Sequence, residues 1–212
     1  MDKNTQAVMR KHAEAAVKAL QANRMDARLV ENREELMELL KEMVPGGSVI
    51  CSGGSMTLEE CGVYSWLKDG PYDFYFRGRT GQDGQPIDVF RKAFDADWYF
   101  TSSNAITMNG ELYNVDGNAN RTAAMTFGPR NVVVIAGWNK IVKDLGEAEA
   151  RVKSMAAPAN SERLGCQTGC RITGCCVGCR TEQRICCTTV IHSFQRTPGR
   201  IKVFILPEEL GY

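Results

Sequence analysis

The sequence of 212 residues has almost no net charge and no long apolar run. Lys and Arg total 26 and Asp and Glu total 25, which leaves a formal net charge of +1 at pH 7. Such a chain lacks the positive field that favours nucleic acid or an anionic membrane surface, so we predict no nucleic-acid partner. No apolar run approaches the roughly 20 residues that span a bilayer. We therefore expect a cytoplasmic protein without membrane association.

Two common nucleotide-binding motifs are also missing, because the chain contains neither G-x-G-x-x-G nor a Walker pattern. Apolar residues make up 43% of the chain and charged residues 24%, as in average soluble globular proteins. We predict one domain over residues 1–212, with an N-terminal helix in 1–25 and a cysteine-rich segment at 165–187. Composition does not fix the oligomeric state, and a homo-oligomer is possible.

Alternating apolar and amphipathic segments predict an α/β fold: a mostly parallel sheet with helices on both faces. Apolar residues recur at helical spacing over 3–22, and "ENREELMELLKEM" predicts a helix with a capping box of Asn32 and Glu35. Residues 157–165, "APANSERLG", interrupt the pattern and predict a break before the cysteine-rich segment. The predicted strands lie around 27–30, 48–52, 95–107, 131–141, 187–195 and 201–210, with further helices around 118–129 and 143–157.

A glycine turn between a strand and a helix, "CSGGSMTLEECG", is a candidate anion site. Free backbone N–H groups at a helix start can receive an anion, which makes Gly53, Gly54 and Ser55 candidate ligand-binding residues. Thr57 is a further candidate ligand-binding residue, since it and Glu60 lie about one helical turn apart and could face the same cleft. A tight turn that binds nothing is the alternative.

Polar residues are concentrated in "SSNAITMNGELYNVDGNANR", directly after a predicted buried strand. In an open parallel sheet, ligands bind outside the carboxyl ends of the strands, where this segment and the glycine turn should both project. We therefore predict a shared crevice in which Asn104, Asp116, Asn120 and Arg121 bind a small anionic ligand. The alternative is a β-hairpin with Asn-Gly and Asp-Gly turns.

The segment "CQTGCRITGCCVGCRTEQRICC" holds seven of the nine cysteines. A reducing cytosol and an odd number of cysteines disfavour disulfides, so metal is the better prediction. Adjacent cysteines in one peptide rarely reach the same metal. The spacing C-x5-C-x2-C-x6-C then selects four ligands, Cys170, Cys176, Cys179 and Cys186, and leaves Cys166, Cys175 and Cys187 as bystanders.

Four thiolates suit either tetrahedral zinc or an iron–sulfur cluster, the latter most simply of the 4Fe–4S type. The additional cysteines and the sparsely charged flanks favour the iron–sulfur cluster, and a structural zinc site is the alternative. His192 is isolated in the sequence, and we expect it to be a strand residue and not a ligand.

Several of these segments together resemble the LUD (lactate utilisation domain) family, in its cysteine-bearing branch. The similarity extends from about residue 30 onward and rests on "SGGSMTLEECG", "TSSNAITMNGELYNVDGNANR", "FGPRNVVVIAGWNKIVKDLGEAEARVKSMAAPANSERL", "TGCRITGCCVGCRTEQRIC" and "RIKVFILPEELGY". The resemblance implies the fold of ribose-5-phosphate isomerases, glucosamine-6-phosphate deaminases and CoA transferases. It also implies an association with bacterial oxidation of L-lactate to pyruvate, beside iron–sulfur redox partner proteins.

The cysteine-bearing branch carries a segment like T-P-C-x-x-T-G-x-C-x-D-C followed by R-I-C-N. Its four cysteines fall on Cys170, Cys176, Cys179 and Cys186, the set that spacing selects. The sequence departs from this pattern at Gly169, Gly178 and Cys187, and Cys175 is additional.

Three hypotheses of function follow. The first is a redox protein of L-lactate oxidation that carries an iron–sulfur cluster and binds a small anion. The second is an enzyme acting on a phosphorylated or CoA-linked substrate, with Glu60 as catalytic base or nucleophile and zinc as a structural clamp. The third is a ligand-sensing module without catalysis.

Overall fold

The computed structural model describes residues 2–212, and its central feature is a six-stranded sheet in which every pairing is parallel. Its pairing confirms the predicted mostly parallel sheet. In spatial order the strands are β1 (Asp26–Leu29), β10 (Ile201–Leu206), β7 (Asn131–Gly137), β4 (Trp98–Thr101), β2 (Val49–Ser52) and β3 (Asp73–Tyr75).

Helices cover both faces of this sheet, as predicted. Val132 and Val134 of β7 belong to one hydrophobic core, whereas Val133 and Ile135 belong to the other, because successive strand residues point to opposite faces. The helices are α1 (Lys3–Ala22), α2 (Arg33–Met43), α3 (Met56–Glu60), α4 (Val63–Asp69), α5 (Val89–Lys92), α6 (Asn120–Phe127), α7 (Leu145–Arg151), α8 (Ala157–Leu164) and α9 (Gly169–Thr173). Helices α1 and α6 pack on the first core, and α2, α3 and α4 on the second.

The predicted cap of α2 is present, but its second half differs from a capping box. Asn32 Oδ1 accepts from the N–H of Glu35 at 2.8 Å, as expected for an N-cap. The carboxylate of Glu35 accepts instead from the N–H of Glu31 at 2.7 Å, one residue before the cap.

A second, four-stranded sheet was not predicted. It consists of β8 (Ile141–Val142), β5 (Ala105–Thr107), β6 (Leu112–Asp116) and β9 (Thr188–His192) in that order. Strands β5 and β6 pair antiparallel across Asn109 and Gly110, so the hairpin with an Asn-Gly turn is present, whereas the predicted Asp-Gly hairpin turn is not, because Asp116 ends β6 shortly before α6. Gly110 has φ +80°, and a Cβ there would lie 2.5 Å from the carbonyl carbon of Ala19 in α1. Glycine is therefore required at this contact.

The predicted break at 157–165 is wrong, because these residues form α8. A π-helical stretch, Val152–Ala156, joins α7 to α8 without interrupting the chain's helical course. Pro158 lies in the first turn of α8, where a missing N–H costs little, and Gly165 ends the helix at φ 67°. Among residues 2–212, we find no helix with the length and apolar character needed to cross a membrane.

Candidate functional site

A cleft of about 270 Å³ lies at the carboxyl ends of three neighbouring parallel strands, β2, β4 and β7. This is the position where open parallel sheets bind ligands. The cleft is bordered by all the residues predicted to bind the small anion: Gly53, Gly54, Ser55, Thr57, Asn104, Asp116, Asn120 and Arg121. The structure thus brings the glycine turn and the polar segment into one crevice.

The glycine turn offers fewer free N–H groups than its sequence suggests. The N–H of Gly53 donates to the carbonyl of Phe100 at 3.1 Å, and that of Ser55 donates to the Tyr64 hydroxyl at 2.9 Å. Among residues 2–212, Gly54 is the one member of this three-residue turn whose amide has no partner. Since α3 is only five residues long, an anion must rely mainly on side chains.

Arg121 forms a wall of the cleft through a saturated hydrogen-bond network. Its Nε donates to Asp116, one terminal nitrogen to Asn114 Oδ1 and the carbonyl of Ser102, and the other to Asn104 Oδ1 and the carbonyl of Val115. A guanidinium has five N–H donors, and these contacts occupy all of them. Arg121 therefore holds the shape of the cleft and has no free donor for a ligand.

Asp116 connects the cleft to the cysteine-rich segment. One carboxylate oxygen pairs with Arg121 at 2.7 Å, and the other accepts from the N–H of Thr122 at 2.7 Å at the start of α6. Its backbone carbonyl accepts from the N–H of Cys187 at 2.9 Å. A movement of the cysteine-rich segment would therefore displace Asp116, and with it the Arg121 side chain that forms the cleft wall.

Lys140 is the site residue that the sequence interpretation missed. It ends the short 3₁₀ turn after β7, is 3% exposed and borders the cleft. Its Nζ donates to Thr57 Oγ1 at 2.8 Å and to Ser102 Oγ at 2.9 Å. No carboxylate of residues 2–212 forms an ion pair with it. The signal in the sequence was a lysine three residues after the end of the apolar strand "NVVVIAG".

Burial lowers the pKa of Lys140 from 10.5 to about 7, because the charged ammonium loses its hydration. The neighbouring cations Arg151 and Arg121 lower it further, while Glu60 and Cys61 act in the opposite direction. A substantial fraction of Lys140 is therefore a neutral amine near pH 7.

We predict that Lys140→Met stabilises the protein, most strongly at low pH. The folded chain releases the Lys140 proton near pH 7, whereas the unfolded chain keeps it to about pH 10.5. Because the unfolded chain binds more protons between these values, the destabilisation by Lys140 is full below pH 7 and fades as pH rises. The gain from Lys140→Met should fall by up to about 1.4 kcal/mol per pH unit above pH 7. Urea unfolding at several pH values checks this, and a gain that does not vary with pH contradicts it.

The structure places Glu60 outside the cleft lining. Its side chain is on the exposed last residue of α3 and accepts from the N–H of Gly211 at 2.8 Å. Gly211 has φ +55°, and a Cβ there would lie 2.7 Å from Thr57 Oγ1. Glu60 thus holds Gly211 close to the Thr57 and Lys140 pair, and its role as a catalytic base or nucleophile stays a prediction.

The four predicted metal ligands lie in different surroundings. Cys170 is buried on α9, with its Sγ 3.3 Å from Thr168 Oγ1 and 3.5 Å from Ser161 Oγ. Cys176 is exposed, and its N–H donates to the carbonyl of Lys153 at 2.9 Å. Cys179 and Cys186 are half-buried, and their carbonyls accept from Arg184 at 3.2 and 3.0 Å.

The donors have the right chemistry for an iron–sulfur cluster or zinc, since both bind thiolates. In the structure, however, no three His, Cys, Asp or Glu side chains of residues 2–212 converge as a metal-binding group. The predicted bystanders Cys175 and Cys187 are exposed and Cys166 is half-buried, so exposure does not separate them from the predicted ligands.

His192 lies on β9, as expected, with its Nε2 3.1 Å from Thr126 Oγ1. Burial lowers its pKa to about 4, so the ring is neutral near pH 7.

Comparison with known proteins identifies the family of the chain and solved structures of similar fold. A crystal structure of a DUF162 family protein from Deinococcus radiodurans is similar over 95% of this chain and 98% of that one, at 14% identity and a TM-score of 0.51. At this identity the likeness shows the fold alone. No curated protein matches the sequence. The sequence pattern of the LUD domain matches residues 13–206, which include the cleft and the cysteine-rich segment, and the chain therefore belongs to the LUD domain family.

Proposed function

We propose that this chain is a redox component of L-lactate oxidation to pyruvate and that it binds a small carboxylate in the cleft. The LUD domain family is associated with lactate utilisation. The observation that carries the proposal is the cleft itself, which combines the carboxyl ends of three parallel strands with hydroxyl groups and cations. Hydroxyls and cations are the groups that recognise a small hydroxy acid or oxo acid.

Cationic side chains at the cleft support an anionic ligand. Arg77 and Arg163 are exposed at its border, and Lys140 is buried within it. The guanidinium of Arg163 donates to an amide oxygen, Asn160 Oδ1, at 2.8 and 3.1 Å and also contacts Tyr212, and no carboxylate of residues 2–212 forms an ion pair with it. An incoming carboxylate would therefore meet positive charge that the protein has not already paired.

The cysteine-rich segment supplies the second half of the proposal. Cys170, Cys176, Cys179 and Cys186 would hold a cluster of the 4Fe–4S type. A bound cluster would supply one-electron transfer, with other iron–sulfur proteins as redox partners. The hydrogen bond between Asp116 and Cys187 supports communication between this segment and the cleft.

Arg163→Gln is expected to weaken binding of L-lactate or pyruvate by about threefold to tenfold, since it removes an exposed charge-assisted contact. Isothermal calorimetry on protein purified without oxygen measures the affinity. The matched control is Arg171→Gln, which removes an arginine that pairs with Glu162 at 3.1 Å and does not border the cleft. Absence of binding by the unchanged protein, or an equal effect of the two variants, would contradict the proposed anion cleft.

A further inference from the structure

We propose that Lys140 is a nucleophile that forms a Schiff base with the carbonyl group of a small oxo acid. This inference rests on the proposed function, because it places the oxo acid in the same cleft. It adds a covalent step and names the class of compound that undergoes it: a ketone or aldehyde that also carries a carboxylate.

The position of Lys140 suits a nucleophile better than a structural cation. A buried lysine with a structural role usually pairs with a carboxylate, because an unpaired charge is costly in a protein interior. Lys140 instead meets two neutral hydroxyl groups, those of Thr57 and Ser102. Because Lys140 lines the cleft, its amine lies next to the space that a ligand would occupy.

The surroundings also keep the amine reactive. A lysine becomes nucleophilic when it is desolvated or lies near another cation, since both favour the neutral amine. Lys140 has both features, because it is buried and Arg151 and Arg121 add their positive charge. The pKa of about 7 agrees with this geometry.

The two hydroxyl groups have different roles in the proposed step. The Thr57 hydroxyl donates its hydrogen to the carbonyl of Leu210 at 3.2 Å, so towards Lys140 it acts as an acceptor that orients Nζ. The Ser102 hydroxyl lies 2.9 Å from Nζ and can relay a proton between the nitrogen and the carbonyl oxygen of the ligand. Thr57 therefore positions the amine, and Ser102 is the proton-transfer group.

The step balances without an oxidant or reductant. The lone pair of the neutral Nζ attacks the carbonyl carbon, a C–N bond forms, and the carbonyl π electrons move to oxygen. The two amine protons pass to that oxygen, the C–O bond breaks, and one molecule of water leaves as the C=N bond forms. The carboxylate of the oxo acid would be held by the cations at the border of the cleft, Arg77 and Arg163.

Reductive trapping tests the inference. Protein purified without oxygen is incubated with pyruvate or glyoxylate and sodium cyanoborohydride, and the adduct is located by peptide mass spectrometry. We expect one dominant adduct on Lys140. The adduct should decrease at least about tenfold in Lys140→Arg, whose guanidinium stays protonated. Trapping by the unchanged protein should also become faster from pH 6 to pH 8, as the neutral amine is populated.

Lys143→Met is the matched control, because Lys143 is three residues away, exposed and outside the cleft lining. It should leave trapping unchanged. If calorimetry shows that pyruvate binds but no adduct forms on Lys140, the inference fails while the proposed function stands. An adduct that persists in Lys140→Arg also overturns it. If neither oxo acid nor L-lactate binds, both the inference and the proposed function fail.

Discussion

Serine in place of Cys170, Cys176, Cys179 or Cys186 is expected to remove most of the iron and to lower the melting temperature. Four-thiolate sites need every ligand, and metal binding contributes directly to the free energy of folding. The effect on stability should be largest in the metal-loaded protein, because the site would tie α8 and α9 to the strands that follow. Iron, sulfide and zinc analysis of each variant, purified without oxygen, measures the loss.

The same substitution at Cys166, Cys175 or Cys187 provides three controls within one segment. Each should leave metal content and melting temperature nearly unchanged, since these residues are assigned as bystanders. Cys175 and Cys176 are adjacent and both exposed. A difference in metal content between their two variants would therefore come from the cysteine spacing that selects Cys176 as a ligand, and not from exposure. Loss of metal in Cys175→Ser with retention in Cys176→Ser would show that the ligand assignment is wrong.

Arg121→Met is expected to lower the free energy of unfolding by about 3 to 5 kcal/mol, because the buried carboxylate of Asp116 would lose its counter-ion. The side chains are only 14% and 8% exposed, so solvent screens the pair weakly. Asn104, Asn114 and the carbonyls of Ser102 and Val115 would lose a donor at the same time. Arg121→Lys should recover part of the loss, because a lysine keeps the charge but has fewer donors.

Urea unfolding of both variants measures this effect. The control is Arg171→Met, whose partner Glu162 is exposed and whose loss should cost no more than about 1 kcal/mol. A loss below about 1 kcal/mol for Arg121→Met would mean that the cleft wall does not depend on the arginine network.

The location of the cleft could be predicted from the sequence, because open parallel sheets bind ligands at the carboxyl ends of their strands. Once β2 and β4 are predicted as parallel strands, Gly53 and Asn104 must project from the same edge of the sheet. The role of Arg121 could not be predicted in this way. Its five acceptors come from β6 and from the segment after β4, and only the folded chain shows that they consume every donor.

Lys140 and α8 were missed for physical reasons of two kinds. A lysine after an apolar strand is usually exposed, and its burial here depends on Thr57, Ser102 and the later segment around Leu210. The break predicted around Pro158 failed because the residue falls in a first helical turn, after a π-helical stretch. The second sheet escaped prediction because β5 and β8 are three and two residues long and show no periodicity.

Metal and sulfide analysis, with a visible spectrum, of the unmodified protein purified from cells without oxygen tests the redox proposal most directly. We predict iron and acid-labile sulfide at about four each per chain, with the broad visible absorption of a 4Fe–4S cluster. Stoichiometric zinc without iron or sulfide would contradict the redox proposal and favour an enzyme with a structural zinc site.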